Sequence, residues 1–262
     1  MAVGCALLTY EEIPLAKEVG FDYIEFMGKY LVSLSERDYQ KSLQMLDKDR
    51  ITCQGLNAYC PQEIVIAGPG FDLENARRYA RKCAARSKEL SVRNIGIGSP
   101  NSRNLPKGFP RKEARQQLID FLKITAEEFG KYNINVCLEA LATCYCNYIN
   151  TFQEAIDVIK SINWENIKAI LDFYNMEHMK EADMNLEEYI RYIGHGHISD
   201  DDGAPNRRFF LKEDKTCIHQ ARIRHLYSCG YKGAMSVEVD LPIHRELAGR
   251  SLAIIRQAMK GG

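Results

Sequence analysis

The sequence predicts an α/β chain folded as a single (β/α)8 TIM barrel, with residues 1–262 as one domain. Three observations predict it. Eight short apolar or β-branched runs alternate with longer amphipathic stretches, the pattern of a parallel sheet covered by helices. The 262-residue length suits one barrel, a fold that reaches this size as a single domain. The turn after the first run, Leu8-Thr-Tyr-Glu-Glu-Ile13, lacks the glycine-rich phosphate turn that the rival doubly wound open sheet would want.

Taken in order, strands are expected at Val3–Leu8, Tyr23–Met27, Thr52–Leu56, Asn94–Gly98, Asn135–Leu138, Lys168–Leu171, Gly196–Ser199 and Met235–Val239. Helical periodicity lies between them at Asp38–Asp47, Glu74–Leu90, Arg111–Tyr132, Thr151–Ile162, Leu186–Ile193, His219–Cys229 and Arg245–Lys260. Thr151-Phe-Gln-Glu154 reads as a capping box that starts one of them. Gly20 and Gly230 stand where helices must turn into strands and suit left-handed C-caps. No linker, repeat or low-complexity segment divides the chain.

Lys+Arg and Asp+Glu both number 35, so the formal net charge is zero. A nucleic-acid partner would call for a basic excess, and none is present. No apolar run is long enough to cross a bilayer, and the first residues carry no basic leader, so a soluble cytoplasmic protein is expected. Cysteine is abundant, at nine residues, and Cys5, Cys53 and Cys137 fall inside candidate strands. Buried free thiols are expected rather than disulfides, in keeping with a reducing compartment. Cys144-Tyr-Cys146 is one residue short of a CxxC pair and faces no second pair, which argues against a structural zinc site.

In a barrel the chemistry sits at the C-terminal ends of the strands. The fifth strand ends at Glu139, the sixth at Asp172, the seventh carries His197 and the eighth Glu238. Each residue taken singly would be unremarked, a solvated carboxylate or a packed histidine. Four in register on adjacent strands make a site for one divalent ion, Mn2+, Zn2+, Co2+ or Mg2+. Without an ion, three carboxylates this close would repel and some would hold protons.

These residues, in the contexts Leu138-Glu139, Leu171-Asp172, His195-Gly-His197 and Val237-Glu238, resemble the xylose-isomerase-like barrel superfamily. The resemblance is to its sugar phosphate isomerase/epimerase branch, which includes D-tagatose 3-epimerase-like and inosose isomerase-like proteins. Gly98-Ser-Pro-Asn-Ser-Arg103 resembles a loop seen in many members. The resemblance implies that Glu139, Asp172, His197 and Glu238 bind one metal. It implies catalytic second roles for Glu139 and Glu238, one removing a proton alpha to a carbonyl and the other returning one, through a metal-bound enediolate. A small carbohydrate-like substrate follows, with no nucleic-acid or membrane partner; pairing of helix faces into a homo-oligomer is compatible with such barrels.

The chain also departs from that branch. Members commonly carry a second Glu six residues after the first metal Glu, where this chain has Tyr145. They carry a His three residues after the metal Asp, where it has Asn175, and an Arg six after the metal His, where it has Gly203 followed by Arg207 and Arg208. A changed substrate is expected. Glu25, Asn57, Ser99, Arg103, Asn175, His195 and Arg207 are the candidate substrate contacts; Arg103 is equally readable as a loop salt bridge. His195 is expected to point away from His197, as a packed histidine or a site residue. Asp200-Asp-Asp-Gly203 reads as a solvated turn or a substrate-binding loop.

Three rival functions remain open at this point. A lyase, eliminating water or a glycoside's aglycone, would begin with the same proton abstraction. A trinuclear-zinc AP endonuclease would need histidines at the ends of strands three and four, where Asn57 or Ala58 and Ser99 stand. A non-catalytic sugar-binding barrel would not need an intact ligand quartet.

Overall fold

The computed structural model describes residues 2–204 and 206–260, so the expected domain limits at Met1 and Gly262 lie outside the described residues. Eight parallel strands close into a barrel: β1 (Val3–Leu7), β2 (Tyr23–Met27), β3 (Thr52–Asn57), β4 (Asn94–Ile97), β5 (Asn135–Glu139), β6 (Ile167–Asp172), β7 (Ile193–Ile198) and β10 (Met235–Val237). β8 (Asp200–Asp201) and β9 (Arg208–Phe209) form a small antiparallel hairpin in the loop that leaves β7. β10 closes the ring between β1 and β7.

The helices α1 (Ile13–Val19), α2 (Gly28–Ser33), α3 (Glu36–Asp49), α4 (Leu73–Leu90), α5 (Arg111–Gly130), α6 (Phe152–Ile162), α7 (Phe173–His178), α8 (Thr216–Ser228) and α9 (Arg245–Lys260) accompany the strands. Their ends follow local chemistry. The Ser35 and Asp72 side chains accept the N–H groups of Asp38 and Asn75 and start α3 and α4. Thr151 and Glu154 form the expected capping box of α6. Gly20 (φ 102°) ends α1 in the left-handed region, and Gly230 (φ 92°) follows α8 in the same conformation. No helix among the described residues is long and apolar enough to cross a membrane. All nine cysteines are free thiols, six of them buried.

Three features differ from the sequence expectation. Leu186–Ile193 is not an α-helix: Glu187–Tyr192 is a 3-10 segment, and Ile193 already belongs to β7. Six residues give too few hydrogen bonds to offset helix nucleation, and tight 3-10 connectors fill such gaps. α2 and α7 begin directly at the strand ends Met27 and Asp172, so no polar break in the sequence announces them. The β8–β9 hairpin rests on two residues a side, too short for any alternation to register.

Candidate metal centre

The barrel brings the four residues to one rim. Glu139 is the last residue of β5 and Asp172 the last of β6; Asp172 lies beside His197 in the β6–β7 register, and Glu238 follows β10 directly. One ligand atom from each of the four lies within 4.8 Å of all the others, and all four side chains are buried. Gly98 makes this possible on the β4 side, because a Cβ there would come 2.5 Å from Glu139 Oε2. His197 Nδ1 and Glu238 Oε2 face each other at 3.1 Å, yet neither has a directed hydrogen bond. Buried polar atoms that lack a well-aligned hydrogen bond are costly. Three carboxylates and one imidazole converging on such atoms fit a divalent ion of hard to borderline character.

A ring of further side chains fixes these four. The Asn175 amide nitrogen donates to Asp172 Oδ2 (2.6 Å) and to Glu139 Oε1 (3.2 Å), and its oxygen accepts Ala142 N–H (3.0 Å). Asn57 donates to Glu238 Oε1 at 2.9 Å. Asp172 also caps α7 by accepting Tyr174 N–H at 2.9 Å. Beneath the quartet, the Glu25 carboxylate meets His197 Nε2 at 3.2 Å and His195 Nε2 at 2.5 Å, and accepts the Ser236 hydroxyl. Gly55 gives that carboxylate its space: a Cβ there would lie 2.7 Å from it. Glu25 therefore holds a proton on His197 Nε2 and leaves Nδ1 facing the other ligands, as carboxylate–histidine pairs do around metals.

The charges in this cluster pull the two glutamates apart. Burial, reinforced by the charges of Glu238 and Asp172, raises Glu139 to about 7. Burial acts on Glu238 too, but the Arg208 guanidinium and His197 outweigh it and hold this carboxyl at about 2. For His197, burial opposes the charge, but Glu238 and Glu25 raise it well above the ordinary histidine value. Ligands must shed protons to bind an ion. Above pH 7 only His197 has one to lose; below it Glu139 has one as well. Divalent-metal binding is thus expected to release about two protons at about pH 6 and about one at about pH 8. Calorimetry in buffers of different ionisation enthalpy reads this directly, and equal release at both pH values would contradict the protonated state of Glu139.

The profile of the family described as "Xylose isomerase-like TIM barrel" matches residues 13–258. The chain belongs to that family. Among the relatives it matches, inosose isomerase of Bacillus subtilis (strain 168) is 25% identical over 150 residues, 52% of this chain and 51% of that protein. The chain thus spans about half the length of the inosose isomerases it matches. The 2-oxo-tetronate isomerase of Haemophilus influenzae is 25% identical over 201 residues, 68% of this chain and 70% of that protein. Among solved structures, D-psicose 3-epimerase with D-tagatose from Clostridium cellulolyticum H10 superposes with a TM-score of 0.76. It is 19% identical and covers 99% of both chains. At that identity the likeness is one of fold.

Within this xylose isomerase-like barrel, the residues expected to touch substrate do not all reach the same place. Glu25 is fully buried under the quartet, and its carboxylate is taken up by two histidines and a serine. His195 does not point away from His197. Residues two apart on a strand share a face, and both rings turn into the barrel toward Glu25. Asn175 and Asn57 spend their amide N–H groups on the carboxylates of Asp172, Glu139 and Glu238. Ser99 sits in the left-handed region (φ 43°) at the end of β4, and its hydroxyl accepts Cys60 N–H at 3.0 Å. Arg103 is completely buried and donates to the Glu139 carbonyl at 2.6 Å, which fixes the backbone behind that carboxylate; among the described residues it forms no salt bridge. Arg207 points outward and pairs with Asp202 at 2.5 Å.

Its neighbour Arg208 is the residue that enters the site. The guanidinium lies 2.6 Å from Asp172, 3.2 Å from Glu238 and 3.4 Å from Glu139, and stacks over Tyr174 at 4.7 Å. Two adjacent arginines in a loop give no sequence signal as to which one turns in; the β8–β9 register decides it. Asp200 is equally structural, accepting His219 Nε2 and Lys212 N–H, while Asp201 and Asp202 accept the N–H groups of the turn at Gly203 and Ala204. The acidic run is therefore not one solvated turn: Asp200 and Asp201 form β8, Asp200 is buried, and only 202–203 make the exposed bend.

Proposed function

We propose that this chain, acting as one domain over residues 1–262, is a divalent-metal-dependent isomerase or epimerase of a sugar, sugar phosphate or polyol. The buried quartet of Glu139, Asp172, His197 and Glu238 carries the reading. The isomerase names of its sequence relatives support the same substrate class. Glu139, Asp172, His197 and Glu238 hold the ion. A bound divalent ion would polarise a substrate carbonyl and stabilise the negative charge that proton loss places on its oxygen. Glu238 is the base in one direction: Asn57 fixes its Oε1, and Arg208 and His197, which face its Oε2, keep it ionised. Glu139 is the group on the other side that returns a proton; burial and its acidic neighbours, which raise it to about 7 in the metal-free protein, favour its taking one up. The reverse direction exchanges the two roles. A carboxylate is an adequate base for a carbon acid only in a dry, fixed site, and the burial of all four ligands meets that condition. Because Asn57 and Asn175 are occupied with the carboxylates, contacts to substrate hydroxyls fall to the side chains beside Arg208, Tyr145 among them.

The test is solvent exchange. Metal-loaded protein incubated with keto-sugars in D2O should give isomers that lose no atoms but carry deuterium in place of hydrogen at the carbon alpha to the carbonyl. Loss of water from the product would indicate a lyase instead, and no labelling with any keto-sugar would contradict the proton-transfer reading.

A further inference from the structure

Arg208 sits where its charge does what a metal ion would do. Its guanidinium contacts three of the four proposed ligands, Asp172, Glu238 and Glu139. It is buried, donates to the Ser199 hydroxyl and lies over the rings of Tyr174 at 4.7 Å and Tyr145 at 5.8 Å. Three carboxylates crowded out of water need a compensating cation, and arginine's planar fork suits several carboxylate oxygens at once. We propose that Arg208 is a tethered counter-cation of the metal centre: it neutralises the carboxylates of the metal-free protein, and the ion must displace it to bind. The inference rests on the metal-site reading above.

The backbone around it says what moves. Arg208 N–H donates to Asp240 at 2.8 Å, its carbonyl accepts Asp240 N–H, and β9 pairs with β8, whose Asp200 is held by His219. The hairpin is anchored on both sides. The exchange is therefore a swing of the long arginine side chain toward the mouth, with the loop in place. Two consequences follow. The metal site is weaker than its donor set alone would make it, because each binding event breaks three ion pairs. And the metal-free barrel is protected against the repulsion of its own carboxylates.

Titration calorimetry with Mn2+ at about pH 8 tests this on wild type, Arg208→Met and Arg208→Lys. Arg208→Met should bind Mn2+ about tenfold or more tightly than wild type, and its metal-free form should melt earlier and gain more in Tm on metal addition. Arg208→Lys, a charge without the fork, should fall between. A second measurement needs no variant: mapped phenylglyoxal modification of wild type should be slow at Arg208 without metal and several-fold faster with Mn2+, as the guanidinium leaves its carboxylates. Equal or weaker Mn2+ binding by Arg208→Met, or unchanged Arg208 reactivity, overturns the proposal while leaving the metal site intact. Absence of Mn2+ binding in wild type and variants alike overturns the metal-site reading and this inference with it.

Discussion

Glu238→Gln is expected to leave the barrel folded and metal-bound and to lower turnover and solvent proton exchange by about 10²–10⁴-fold, the range for loss of a positioned acid or base. Glutamine keeps the volume and can still accept the hydrogen bond from Asn57 at 2.9 Å. What it loses is the oxygen that His197 and Arg208 hold ionised. The matching Glu139→Gln should show a comparable loss. Melting temperature and metal content, measured beside the exchange rate, separate loss of chemistry from loss of structure. Wild-type exchange in Glu238→Gln would contradict the two-glutamate mechanism.

Glu25→Leu is expected to cost about 3–5 kcal/mol of stability, because it strips a buried charge from its partners. Glu25 is completely buried, and two histidines and Ser236 depend on it. Burial alone would raise its carboxyl, but His195 and His197 outweigh this and hold it well below the ordinary range. A depressed carboxyl stabilises the fold above its unfolded pKa, about 4.3 for Glu, and the contribution disappears as acid takes the pH down through the folded value. The same change frees the His197 ring, and metal affinity should weaken about 10–100-fold. Glu25→Gln, which retains a hydrogen bond to one histidine, should fold better and still bind metal less tightly. Urea unfolding and metal titration check the two effects; wild-type metal affinity in both variants would show that His197 is fixed by something else.

Glu25 and His195 also show where the sequence stopped being informative. The strand pattern marked both as polar residues inside a barrel strand, and that much was legible. Their depth was not. A strand-end carboxylate reads as facing the rim, but the β2 register puts Glu25 opposite Gly55, two residues short of the strand's end. The quartet was legible because parallel strands in register carry successive termini to one side, so Glu139, Asp172, His197 and Glu238 needed only their positions in the chain. The layer above it was not, because it is set by loops. Which of Arg207 and Arg208 enters depends on a two-residue hairpin. The roles of Asn57 and Asn175 depend on where their amides find acceptors, which no spacing encodes.

Elemental analysis of the purified protein, with Asp172→Ala prepared in parallel, tests the central claim most directly. About one divalent ion per chain is expected in the wild type, the count that a four-ligand site takes, and that ion should be absent from the variant. A wild type that holds no ion after reconstitution with Mn2+, Zn2+, Co2+ and Mg2+, or a variant that holds as much as the wild type, would contradict it.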